Sequence, residues 1–142
     1  MTETPGSAGP APRTAAQRLG DAAEVTIAEH LAAAGWTLLG RNLRFGRSEV
    51  DLLGLDPGPP AALVVVEVRW RASRAFGVAE ETFDWRKRSH LRAAVGRLVE
   101  SGVLPDGSPL PRLPIRIDLL VVEPGDRGGR PRIRHHRDAL AG

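Results

Sequence analysis

Apolar residues recur along the chain with two different periods, and the changes of period mark out its elements. Leu19, Ala23, Ile27 and Leu31 repeat at a helical interval. The stretch TAAQ at Thr14–Gln17, just upstream, has the form of a capping box, with Thr14 as the cap and Gln17 at the third helical position. The spacing predicts a helix from there to about Ala34, which Gly35 can end by taking a left-handed conformation. The rhythm then shortens. Residues 36–44, 48–55 and 62–71 form three strand-like runs, separated by the turn-like FGR and the loop DPGPP. A second helix is predicted from near Asp84 to Gly102, with Leu91, Ala94, Val95 and Leu98 as its apolar stripe. IRIDLLVVE, residues 115–123, reads as a further strand. RIRHH, residues 132–136, reads as a short edge strand beyond the turn PGDRGGRP.

The order is therefore α-β-β-β-α-β with a possible last strand. Short connections make the first three strands antiparallel, and the helical crossover makes the third and fourth parallel and right-handed. The fold class is α/β, a mixed sheet flanked by helices. A chain of 142 residues suits one domain. Residues 1–13 are rich in Pro, Gly, Ser and Thr and read as a disordered tail, which leaves 14–142 as the folded domain. The chain contains no cysteine, which excludes disulfides, thiolate catalysis and cysteine zinc sites and suits a reducing cytosol. No apolar run approaches a membrane span, and the N-terminus lacks the hydrophobic block of a signal peptide. The expectation is a cytoplasmic protein with no membrane partner.

Acidic residues interrupt two of the strand-like runs. Glu49 and Asp51 fall in the second, and Glu67 in the third, within SEVDLLGLD and LVVVEVRWR. An unpaired buried carboxylate costs several kcal/mol or shifts its pKa. Alternation along a strand puts Glu49 with Asp51 and Glu67 with Arg69, and pairing of the two runs lets Asp51 approach Glu67. Two close carboxylates repel unless a cation lies between them. A hard divalent ion such as Mg2+ suits oxygen ligands, can activate water and can neutralise phosphoryl charge. Glu24 shares a helix face with Gly20, Ile27, Ala28 and Leu31, the face expected to pack on the sheet. The spacing is equally compatible with acids paired to the abundant arginines.

These same segments resemble the YraN-like uncharacterised family of the PD-(D/E)xK nuclease superfamily, whose core is restriction-endonuclease-like. SEVDLLGLD…LVVVEVRWR is similar to the family's GEIDLIA…FVEVKxR. GDAAEVTIAEHLAAAGWTLLGRNLR is similar to its first helix and strand, through Glu24, Arg41 and Asn42. FGVAEETFDWRKRSHL resembles its second-helix entry, through Phe76, Gly77 and Lys87. IRIDLLVVE and IRHHRDAL resemble its closing segments, through Arg116 and Asp118 in the first. The resemblance implies a restriction-endonuclease-like α-β-β-β-α-β core with Asp51 and Glu67 as a metal-binding pair for Mg2+ or Mn2+. Glu24 becomes the additional first-helix acid, a third metal ligand that completes the ion's shell or orients its water. Arg69 stands at the position of the family's lysine, a departure, because arginine cannot serve as a base although it can stabilise phosphate charge. Ser48 replaces the family's glycine before Glu49.

The departure at Arg69 leaves two accounts open, loss of activity or relocation of the lysine. Lys87 is the only lysine in the chain, and Leu91 and Ala94 lie at helical offsets from it, which points it inward near the start of the second helix. WRKRSHLRAAVGR carries five positive residues and no acid, and RGGRPRIRHHR adds a second basic cluster. Such patches attract nucleic-acid phosphates, and Arg86, Lys87, Arg88 and Arg92 are the candidate contacts. Trp36, Trp70 and Trp85 read as core or rim residues, and His30 and His90 as helix-surface residues. His135 and His136 are adjacent on a strand and should face opposite ways. The function expected is a Mg2+-dependent nuclease acting on DNA, branched or damaged DNA among the candidate substrates. The alternative is a catalytically impaired nucleic-acid-binding module of the same fold.

Overall fold

The computed structural model describes residues 12, 14–71 and 85–140. Apart from Pro12, the tail lies outside the described residues, as do Phe76, Gly77 and Asp84. Helix α1 spans Ala15–Ala33. The Thr14 hydroxyl accepts from the Gln17 N–H at 3.0 Å, and the Gln17 side chain accepts from the Thr14 N–H at 2.8 Å, so both halves of the capping box form. At the other end Gly35, at φ +94°, closes a Schellman motif. Its N–H donates to Ala32 O at 3.0 Å, and the Trp36 N–H donates to Leu31 O at 3.0 Å. Leu31 and Trp36 then pack in the same cluster, the apolar contact that accompanies this ending.

Five strands follow: β1 Thr37–Phe45, β2 Ser48–Asp56, β3 Ala62–Trp70, β4 Ile115–Glu123 and β5 Arg132–His136. Helix α2, Trp85–Ser101, lies between β3 and β4 in the chain. The strands order β1-β2-β3-β4-β5 in one sheet. β1, β2 and β3 pair antiparallel in sequence, β3 and β4 pair parallel, and β5 adds antiparallel to β4. This is the expected mixed sheet of an α/β restriction-endonuclease-like fold, and the short last strand is present at the edge. Gly46, at φ +64°, makes the β1–β2 turn, where a Cβ would come within 2.6 Å of the Arg97 guanidinium.

Alternation along the strands divides the core into two layers. Val65, Ile117, Leu119 and Val121 pack with Leu91, Ala94 and Leu98 of α2 on one face. Val64, Val66, Leu120 and Val122 pack with Ala23, Ile27 and Leu31 of α1 on the other. Leu19, the first residue of the expected α1 stripe, is instead 43% exposed. It lies one turn closer to the free end of the helix than Ala23, beyond the buried stripe. No helix among the described residues is long and apolar enough to cross a membrane.

These layers set the cost of truncation. Leu53→Ala, at a position with no exposure, is expected to destabilise the protein by about 2–5 kcal/mol. Leu19→Ala should change stability by less than about 0.5 kcal/mol. Urea unfolding of the two variants beside the wild type measures the contrast.

Candidate active site

The site begins where β2 and β3 part. They pair from Asp56 with Ala62 to Leu52 with Val66, and the next pair would be Asp51 with Glu67. Instead β2 continues along β1, and β3 continues along β4 as far as Trp70. A backbone N–H released from a ladder needs another acceptor. Asp51 supplies it: Oδ2 accepts from the Val68 N–H at 2.8 Å. The pleat of β2 breaks here as well. Val50 and Leu53 both join the α2-side core while Leu52 joins the α1 side. Asp51 therefore sits at the gap, where it acts on a carboxylate from each layer.

Glu67 follows Val65 onto the α2 face and is only 2% exposed. Its Oε1 faces two cations, Lys87 Nζ at 3.3 Å and Arg69 Nη2 at 3.3 Å. Its Oε2 is buried with no hydrogen-bond partner among the described residues. Burial, and then repulsion from Asp51, push the Glu67 carboxyl up to about 7 against the pull of Lys87 and Arg69. Arg69 and Glu67 thus share a face as alternation requires, and Lys87 points inward as its helical offsets require.

Glu24 reaches Asp51 from α1. It is half-buried, and burial, then repulsion from Asp51 and Asp21, raise its carboxyl to about 7, while Arg41 opposes the rise. The β1–β2 register sets Asn42 between the pairs Arg41–Leu52 and Leu43–Val50, opposite Asp51. Asn42 has φ +50°, a left-handed conformation that asparagine tolerates better than most residues. Turned with its nitrogen toward Glu24, the Asn42 amide donates to Oε2 at 3.1 Å and to Oε1 at 3.3 Å. Asp21, Glu24, Val25, Arg41, Asn42 and Glu49 line an open cavity of about 490 Å³. Glu49 itself is exposed and pairs with Arg44 at 3.5 Å, the arrangement of an ordinary solvated acid.

The acids thus form two overlapping pairs, Glu24 with Asp51 and Asp51 with Glu67. Among the described residues no three His, Cys, Asp or Glu side chains stand close enough to cage a metal unaided. What fits a hard cation is smaller. Asp51 and Glu67 offer carboxylate oxygens that repel each other, one of them, on Glu67, buried with no donor among the described residues. Mg2+ commonly takes one or two carboxylates and keeps water in its remaining positions.

The basic residues of α2 divide by direction. Arg86 and Arg92 are exposed, Arg88 is half-buried, and Arg92 Nη2 donates to Leu140 O at 3.3 Å. Trp36 and Trp70 pack in the α1-side core, and the Trp85 side chain lies outside the described residues. His30 and His90 are exposed.

A second polar cluster lies on the α1 face, toward the start of β3 and β4. Asp118 has no exposure. It accepts from Arg116 Nε at 2.8 Å, from Arg116 Nη2 at 3.0 Å and from the Asp138 N–H at 2.9 Å. His135 Nε2 lies 2.7 Å from Asp118 Oδ2. Arg116 and Arg137 also bind Asp56 Oδ2, at 2.8 and 3.0 Å. Burial alone would raise the Asp118 carboxyl, but the hydrogen bonds from His135, Arg116 and the Asp138 N–H hold it below its usual range. The spacing of Arg116 and Asp118, two apart on one strand face, was the signal for this pair. The partners from β2 and the C-terminal segment, Asp56, Arg137 and Asp138, left no local trace.

Comparison with known proteins follows the same segments. The model of "Uncharacterised protein family UPF0102" matches residues 23–122. The chain is 38% identical over 112 residues to a UPF0102 protein of Symbiobacterium thermophilum, covering 79% of this chain and 87% of that one. It is 36% identical over 127 residues to one of Clavibacter michiganensis, covering 89% and 98%. It is 31% identical over 122 residues to one of Desulforamulus reducens, covering 86% and 94%.

The raised carboxyls give the metal-free protein a pH signature. Glu24 and Glu67 hold their protons more tightly in the folded chain, at about 7, than at the ordinary 4.5. Between those values the native state binds more protons, so their contribution to stability is complete below about pH 4.5 and is lost as pH rises through about 7. Melting temperature against pH in a chelator should show this fall, and Glu67→Gln should flatten it. At the other cluster, Asp118→Ala leaves Arg116 with Asp56 alone and the Asp138 N–H without its acceptor, and is expected to cost about 1–3 kcal/mol in urea unfolding.

Proposed function

The chain belongs to the uncharacterised protein family UPF0102, the YraN-like family of the restriction-endonuclease-like superfamily, and on that premise we propose that it is a Mg2+-dependent nuclease that hydrolyses phosphodiester bonds in DNA, with branched or damaged DNA among its substrates. The observation that carries this reading is the Asp51–Glu67 pair, a buried carboxylate oxygen with no donor among the described residues beside a second acid at the open end of a hairpin. Asp51 and Glu67 would hold Mg2+ or Mn2+. When bound, such an ion polarises a phosphoryl oxygen and lowers the pKa of its water.

The remaining work falls to the chain. Glu24 would complete the ion's shell or orient the attacking water, and Asn42 donates to its carboxylate from β1. Arg69 stabilises the charge that develops on the phosphate. Arg86, Arg88 and Arg92 contact neighbouring phosphates, with a salt dependence set by counterion release. The lack of cysteine suits a reducing compartment, and we assign the protein to the cytoplasm.

One observation favours a second reading, a nucleic-acid-binding module without chemistry. Arg69 and Lys87 both lie on Glu67 Oε1 and can neutralise it without an ion. The two readings differ in what Mg2+ does. Under the nuclease reading, an ion at a hundredfold excess over its Kd stabilises the wild type by about 2.7 kcal/mol. Asp51→Asn combined with Glu67→Gln removes both that gain and all cleavage, while circular dichroism and salt-dependent DNA binding persist. Under the binding-module reading, calorimetry and melting curves show no response to Mg2+ in either protein.

A further inference from the structure

Glu67 is already served by two cations, and they are not equivalent. Arg69 leaves the same strand two residues further on, so its guanidinium is tied to the backbone that carries Glu67. Lys87 comes from a different element, α2, across the α2-side layer, and its side chain is 31% exposed, much as the 30% of Arg69. Both approach Oε1, and Oε2 is left buried without a hydrogen-bond partner among the described residues. A divalent ion held between Asp51 and Glu67 would meet the Lys87 ammonium at the same carboxylate. Like charges at that separation repel strongly in a partly buried setting. Of the two, the ammonium is the one to yield, because it is a compact, strongly hydrated point charge that water can take over, whereas the guanidinium leaves the strand that carries Glu67 itself.

We propose that Lys87 is a resident counter-ion that a divalent cation displaces, so that ammonium and metal exchange at Glu67 and the displaced charge becomes available to a phosphodiester of the substrate. This rests on the metal-binding reading of the Asp51–Glu67 pair. It assigns Lys87 a place in the site as a positioning residue. The strand arginine remains at the carboxylate throughout.

The exchange makes affinity and activity move in opposite directions. Calorimetric titration with Mg2+ alone and Mn2+ alone on the full chain should show Lys87→Met binding about tenfold more tightly than wild type. Lys87→Arg should bind like wild type, because it keeps the competing charge. DNA cleavage by Lys87→Met should fall despite the tighter binding. Lys87 is the chain's only lysine, so a sample labelled at lysine gives a single side-chain ammonium signal. That signal should move on Mg2+ addition with the calorimetric Kd, and it reads the exchange even if Lys87→Met fails to fold. Ion binding to the wild type with an unmoved lysine signal, or binding by Lys87→Met no tighter than wild type, overturns the exchange and leaves the metal site standing. Absence of ion binding in every variant overturns both. Binding by Lys87→Met where the wild type shows none also overturns the exchange, because the ammonium then holds the site against the ion.

Discussion

The site depends on a pairing that the sheet does not make. Had β2 and β3 stayed zipped past Leu52 and Val66, the Val68 N–H would have gone to a backbone carbonyl. Asp51 would then have been one more residue on a strand face. Because the strands diverge toward different neighbours, the N–H is released and a side-chain carboxylate takes it. That one hydrogen bond fixes Asp51 at the mouth of the split, within reach of acids from both layers. A sheet opened in this way is the one place in an α/β layer structure where side chains from its two faces can act on a common group.

The two acidic clusters show how differently the same fold treats buried carboxylates. Asp118 is closed on every side: arginine, histidine and backbone N–H groups outweigh the penalty of burial and hold it ionised. It joins β4, β5 and the segment after β5, and Arg116 extends the join to the end of β2. Glu67 is buried as deeply, yet one of its oxygens has no donor among the described residues, and its neighbour is another acid. A cluster whose needs are met internally serves architecture. One whose charge is left incompletely matched is where a functional site is sought.

The two cations at Glu67 arrive from different elements and differ in chemistry. Arg69 keeps the positive charge beside the carboxylate but cannot give up a proton. Lys87 brings an ammonium to the same oxygen from a different element. Positive charge thus reaches one oxygen from a strand and from a helix end, and this difference in tethering distinguishes the two cations.

Much of this was legible in the linear chain. The capping box at Thr14, the glycine stop at Gly35 and the four long strands follow from local rules of spacing and turn chemistry, and the structure follows them to within a residue or two at the ends. Leu19 was misplaced because periodicity identifies a helix face but not where its neighbour ends. Asp51, Glu67 and Arg69 stood out because charge inside an apolar, alternating run is costly, and that cost is a local property. Alternation did not foresee the broken pleat at Asp51, the left-handed Asn42 opposite it, or the convergence of Asp56, Arg116 and Arg137. Each of those depends on which strand lies alongside and where pairing stops. The sequence by itself determined the elements, their order and the acids that needed compensation, since these are set by neighbours along the chain. Only the tertiary structure decided that Asp51 stands between Glu24 and Glu67 and that Lys87 meets Glu67, because those distances are set by register and layer packing between residues far apart in sequence.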